Sequence, residues 1–272
     1  MGNSVEKAES LSPAIARMRM RRIADVLYPL GTVVLIILIW EAWVIVFDMP
    51  AYLLPPPSEV FVLIYNRAEF LAYHAMITSG EIIAGFLMAI VVGVTLALLI
   101  TNSRVFERSI YPLLVISQAV PKVALAPLLI VWFGFGWEPK VLVVVLIAFF
   151  PIVIDLVAGI RSVPESMHKL ALSTGASRYD TLTKFIVPHA LPHFFSGLKV
   201  AITLAVSGAI IGEFVGADRG LGYLLLFANG QMDTHLLFAC IIVLSFLGVI
   251  LFYLLLSAER FFMPWRFKNV DA

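Results

Sequence analysis

KLALSTGASRYDTLTKFIVPHALP, running from Lys169 to Pro192, is the most unusual stretch of a chain otherwise dominated by apolar runs. All but its last residue belongs to a segment, 161–191, that is too long for a simple turn and too patterned for disorder. Ser162-Val163-Pro164-Glu165 fits a capping box with proline early in the helix. A helix over 164–174 then carries Met167, Leu170 and Ala171 on one face. Gly175 falls where the chain must turn through a left-handed conformation, which glycine adopts freely. Ser177-Arg178-Tyr179-Asp180 starts a second short helix, with Ser177 as cap and Asp180 near its positive end. Pro188 and Pro192 are expected to end it. Two readings stand on shape alone: a helix–glycine–helix knob offered to a soluble partner, or an amphipathic loop lying on a membrane.

The surroundings of that segment are lipid-like. Of 272 residues, 61% are hydrophobic and only 14% charged, and the mean hydropathy is +0.98. Soluble domains are about half apolar and about a quarter charged. Six stretches approach the roughly 20 residues a membrane-spanning helix needs: 28–47, 77–100, 111–133, 141–160, 192–215 and 236–257. Pro121 and Pro127 interrupt the third, and the fourth carries Pro151 and Asp155. An all-α integral membrane protein of about six transmembrane helices follows. A net charge of +1 gives no reason to expect a nucleic-acid partner. Cys240 is the single cysteine, which excludes an intrachain disulfide and a cysteine metal cluster and reads as a small buried apolar side chain. The five histidines show no metal spacing.

Lys and Arg give the direction. Lys7, Arg17, Arg19, Arg21 and Arg22 precede the first span; Arg104 and Arg108 follow the second; Arg161, Lys169, Arg178 and Lys184 follow the fourth; Arg260, Arg266 and Lys268 follow the sixth. The opposite side holds only Arg67, Lys140 and Arg219. Six spans with both termini cytoplasmic satisfy this bias. On the outer side, Pro55–Pro57 reads as a stiff polyproline connection, and GLGYLLLFANG within 216–235 as a short surface helix.

Ionisable groups in spans are costly and mark function by default. Glu41, Lys122, Asp155, Lys199 and Glu213 stand in or at the edge of spans. Lys199 can snorkel, Glu41 reads as structural, and Glu213 as ordering the outer loop. Asp155 either pairs with a neighbouring helix or faces the pathway. Lys122, inside the broken span, either attracts an anionic solute or closes a packing ion pair. Ser117 and Gln118 line a pathway or hydrogen-bond between helices. Small residues on the fifth span, Ala201, Ala205, Ser207, Gly208 and Ala209, are expected at or near a subunit interface.

The segment from Lys169 to Pro192 resembles the EAA loop of ABC-transporter permeases, keeping Ala171, Gly175 and Pro188 and departing at Lys169, Leu170, Phe185 and Val187. QAVPKVALAPLLIVWFGFG (Gln118 to Gly136), GEFVGADRGLGYLL (Gly212 to Leu225) and LLPPPSEV near Pro56 are similar to the nitrate, sulfonate and taurine branch of that family. The resemblance implies a type I importer fold: a 1–27 cytoplasmic segment, 28–71 for the first helix and outer connection, a 72–258 permease core with a coupling loop at 161–191, and a 259–272 cytoplasmic tail. It implies that Ala171, Gly175, Ala176, Ser177, Arg178, Asp180 and Pro188 form the ATPase-coupling loop. Ser117, Gln118, Lys122, Asp155 and Glu213 are the pathway candidates. It further implies an ATPase dimer that holds ATP and Mg, a second permease copy, an extracytoplasmic binding protein and the cell membrane of a prokaryote. This chain has no Walker A pattern, so no cofactor and no catalysis are expected of it. The solutes implied are small anions such as nitrate, sulfonates or taurine, or heterocycles such as thiamine pyrimidine precursors or riboflavin-like compounds. A secondary transporter or channel is the alternative, but no internal repeat is visible. A membrane enzyme would call for clustered His, Asp or Glu near spans.

Overall fold

The structure is a computed structural model and describes residues 27–267. The 1–27 segment, apart from Leu27, and residues 268–272 of the tail lie outside the described residues. In chain order the helices are α1 (Leu27–Val46), α2 (Pro57–Asn66), α3 (Ala68–Asn102), α4 (Arg104–Ile116), α5 (Ala126–Phe133), α6 (Glu138–Arg161), α7 (Glu165–Ser173), α8 (Arg178–Asp180), α9 (Val187–Gly216), α10 (Leu221–Gly230), α11 (Thr234–Phe262) and α12 (Pro264–Phe267).

Among the described residues, α1, α3, α6, α11 and the run Thr181–Gly216 containing α9 are each long and apolar enough to span a bilayer. Arg104–Ala119 and Lys122–Phe133 form an apolar pair that meets at 93°, and they make the sixth crossing only if the pair is taken as one span. Val120 and Pro121 are extended at the break, and Pro121 has no N–H to carry a helix through. Only Ser103 separates α3 from α4, so Arg104 and Arg108 sit on a helix and not in the expected loop. Pro57 likewise starts α2 instead of extending a polyproline connection.

Helix α6 is the centre of the bundle, with α3 parallel and α9 antiparallel to it. Gly85 and Gly93 of α3 abut Val144 and Ile152, while Gly197, Gly208 and Gly212 of α9 abut Pro151, Val144 and Lys140. A Cβ on Gly208 or Gly212 would lie 3.0 Å from the Cα of Val144 or Lys140. Ala201, Ala205 and Ala209 are fully buried in the same seam. Lipid tails are as apolar as leucine, so close van der Waals contact holds such helices together. The small residues expected at a subunit interface therefore serve packing within the chain, with only Ser207 exposed among them. Helix α1 is peripheral, and nearly all of it lies exposed outside the bundle.

Two ionic ties brace one end of the bundle. Arg161 of α6 pairs with Glu107 of α4 at 2.8 Å. Fully buried Glu259 of α11 pairs with Lys199 of α9 and, at 3.2 Å, with Arg266 of α12. Lys199 is thus held by an acid and does not merely snorkel. At the opposite end, Glu41 accepts hydrogen bonds from the amide and hydroxyl of Ser58 at 3.0 and 2.7 Å, fixing the start of α2.

Candidate functional site

The 161–191 segment projects from the end of the bundle that Arg161 closes. Helix α7 ends in a Schellman turn: Gly175 has φ +68°, and the Ala176 amide donates to the Ala171 carbonyl at 3.0 Å. Ala171 is buried, whereas Leu170 and Tyr179 are 53% and 74% exposed. Ser177 caps the next turn, accepting from the Asp180 amide at 3.1 Å and donating to the Asp180 carboxylate at 2.6 Å. The Lys184 ammonium, then Ser177, hold the Asp180 carboxyl below its usual range. The side chain of Arg178 lies outside the described residues. No capping box forms at Ser162, whose hydroxyl donates back to the Gly159 carbonyl. Nor do Pro188 and Pro192 end the second helix. A π-helical turn, Thr181–Ile186, joins α8 to α9. It contains Lys184, whose carbonyl Pro188 would otherwise clash with.

The break between α4 and α5 brings two pathway candidates together. Lys122 donates to Gln118 at 2.8 Å and lies 5.6 Å from the centre of the Phe150 ring. The Gln118 amide nitrogen is buried without a partner among the described residues, as no carboxylate there pairs with Lys122. Ser117 donates to the Leu114 carbonyl at 2.7 Å and is exposed. Asp155 is elsewhere, packed against Gly197 of α9.

Glu213 belongs to a third cluster, at the end opposite the 161–191 loop. The α10 N-terminus leaves its first amides without helical partners, and neighbouring helices supply them. Gly220, at φ +112°, donates its amide to His74 Nδ1 at 3.0 Å. Leu221 donates to the Thr78 hydroxyl at 2.8 Å, and Gly222 and Tyr223 donate to Glu213. Thr78 in turn donates to Glu213 at 2.6 Å. The Glu213 and Glu81 carboxyl groups are neighbours, and Glu81 pairs with Lys140 at 2.9 Å. Glu81, Glu213 and Thr78 are at most 1% exposed, and Lys140 7%. A cavity of about 660 Å³ borders this cluster, and Glu81 and Lys140 line it.

The family of binding-protein-dependent transport system inner membrane components matches residues 89–262, a span that contains the bent α4–α5 pair, the projecting loop and Glu213. The chain belongs to this permease family. The permease is 37% identical to the formylaminopyrimidine transport permease of Halalkalibacterium halodurans, over 92% of this chain and 100% of that one. It is 36% identical to the riboflavin transport permease of Chloroflexus aurantiacus, over 86% and 88%. The taurine transport permease of Escherichia coli is 27% identical, over 87% and 89%. In architecture the permease resembles the MetNI methionine ABC transporter in an inward-facing conformation, with TM-score 0.60 and 19% identity over 73% of this chain and 97% of that one. The fold is that of a type I ABC importer permease in a multi-pass membrane protein.

Sequence reasoning missed His74, Thr78 and Glu81, and placed Lys140 in an outer loop. Glu81 carried a signal, since it is an acid inside the apolar run 77–100 and such residues mark function by default. Thr78 and His74 are ordinary until α10 is laid against them.

Proposed function

We propose that this permease forms half of the translocation pathway of an ATP-driven importer and couples it to a separate ATPase chain through the 161–191 loop. The reading rests on the exposed, glycine-turned pair of short helices at one end of an otherwise apolar bundle. That end is cytoplasmic in this reading, as are both termini, which agrees with the distribution of Lys and Arg. Ala171, Gly175, Ala176, Ser177, Arg178, Asp180 and Pro188 shape the docking element. ATP and Mg bind the ATPase dimer, and nucleotide biases access because it interacts differently with the two states of the complex. An extracytoplasmic binding protein delivers the solute. A second, identical permease completes the pathway, and native mass measurement of the complex decides the copy number.

The test is Gly175→Val. A β-branched residue at φ +68° costs about 1–2 kcal/mol and misdirects the second helix while leaving the spans intact. ATPase co-purification and ATP-driven uptake are expected to fall together. Normal values of both sink the docking role.

For the solute we favour a small heterocycle, because the relatives that handle formylaminopyrimidine and riboflavin are closer than the one that handles taurine. A small anion is the second reading, and Lys122 supports it: the ammonium has Gln118 and the Phe150 ring as partners but no acid among the described residues. Ser117 and Asp155 remain pathway candidates. Glu213, buried and fully engaged, contributes by holding α10.

A further inference from the structure

Helix α4 begins with two arginines one turn apart, Arg104 and Arg108, both exposed at the end of the bundle from which the 161–191 loop projects. We propose that they hold the phosphodiester headgroup of an anionic phospholipid whose acyl chain lies along the apolar continuation of the same α4 face. The site needs only the bilayer around the permease, so it stands or falls independently of the importer reading.

Charge carries the first part of the argument. The acids of this end are already matched: Glu107 by Arg161 at 2.8 Å, Glu165 by Lys169 at 3.1 Å, Asp180 by Lys184 at 2.6 Å, and Glu259 by Lys199 and Arg266. Asp155 lies deeper, against Gly197. Arg104 and Arg108 have no acid partner among the described residues. Like charges four residues apart on a helix repel, and Ser103 gives the positive end of α4 no side-chain cap. An anion there relieves both, and the guanidinium fork fits a phosphate. Depth carries the second part. Arg161 is the last residue of α6, whose 24 residues span about 36 Å against a hydrocarbon thickness of about 30 Å. Its bond to Glu107 therefore sets the turn 104–108 at headgroup level. The face of α4 that joins the bundle is the opposite one: Phe106, Tyr111 and Leu114 pack against α3 and α6. On the free face the arginines are followed, at helical spacing, by Pro112, Val115 and Ile116, all exposed. Basic at the boundary and apolar beyond it is the order of a phospholipid, headgroup and then chain. A soluble acidic partner would use the arginines but not the apolar residues inside the bilayer.

The experiment is native mass spectrometry of the full-length permease in detergent, titrated with dioleoylphosphatidylglycerol or dioleoylphosphatidylcholine. A basic side chain beside an anionic headgroup contributes about fivefold in affinity, so the pair should give a preference for phosphatidylglycerol of about 30-fold. Arg104→Gln with Arg108→Gln should erase most of it, and the corresponding double Lys variant should keep it. Arg219→Gln, at the opposite end and bonded to Asp218, should leave it unchanged. A second measurement needs no variant: phosphatidylglycerol with a photoreactive headgroup, cross-linked to the parent protein, should give adducts within 103–108. An unchanged preference in the double Gln variant, or adducts only outside 103–108, overturns the site. Loss of ATPase co-purification or of permease pairing in that variant, with the lipid preference intact, overturns it too and gives the arginines to a protein interface.

Discussion

Replacing Glu213 by alanine should unfasten α10 while leaving the three-helix seam around α6 in place. The carboxylate accepts from the Thr78 hydroxyl at 2.6 Å and from the amides of Gly222 and Tyr223. Thr78 has a second acceptor, the His74 carbonyl at 3.2 Å, so it is not stranded by the truncation. The two amides are. Each unsatisfied buried donor costs about 1–3 kcal/mol, so the N-terminal turn of α10 loses about 2–6 kcal/mol; water admitted from the neighbouring cavity sets the lower end. At 1.4 kcal/mol per factor of ten, amide exchange across α10 should accelerate roughly 30-fold at the low end and about 20,000-fold at the high end. Hydrogen–deuterium exchange of the detergent-solubilised protein reads this directly, with α6 as internal reference. Glu213→Gln keeps an acceptor oxygen for the two amides and loses only the charge assistance, about 1 kcal/mol, so it should exchange much more slowly than the alanine variant. Exchange in Glu213→Ala within threefold of the parent protein would refute the reasoning and give the hold on α10 to His74 and Thr78.

Gly208→Val places a Cβ 3.0 Å from the Val144 Cα; backbone cannot yield there, so overpacking should cost about 1–3 kcal/mol and lower the thermal midpoint, whereas Gly80→Ala, with nothing within 4 Å, should not. Lys122→Met should assemble normally; if the solute is an anion, uptake at limiting concentration falls, and unchanged uptake removes Lys122 from the pathway. The Asp180 carboxyl is held below its ordinary value by Lys184 and Ser177, so its contribution to the loop is complete above the ordinary carboxylate value and fades as pH falls through the lowered one. Exchange of the 177–186 amides should therefore be flat from pH 7 to 5 after correction for intrinsic rates, and loss of protection in that window would contradict the assignment.

Local patterns in the chain already determined much of this protein. Long apolar runs with few charges can only be helices in lipid, because backbone groups find no water there to satisfy them. The turn at Gly175, the cap at Ser177 and the short helix after Gly220 depend on neighbours a few residues away, and so they were legible. Tertiary structure decided the rest, because partners far apart in sequence carry no local mark. Glu81 in an apolar run announces that it must be neutralised, but not that Lys140, 59 residues on, does so. Glu213 reads as ordering an outer loop, but Thr78, 135 residues earlier, completes its site. A row of small residues on α9 tells of a close neighbour without telling whether it lies in the same chain; α6 took that place. Proline rules expected the second loop helix to end at Pro188, and a π-turn upstream removed the clash on which that rule depends. The 93° break between α4 and α5 is of the same kind: Pro121 interrupts the helix, and packing against α6 and α9 fixes the direction in which the chain resumes.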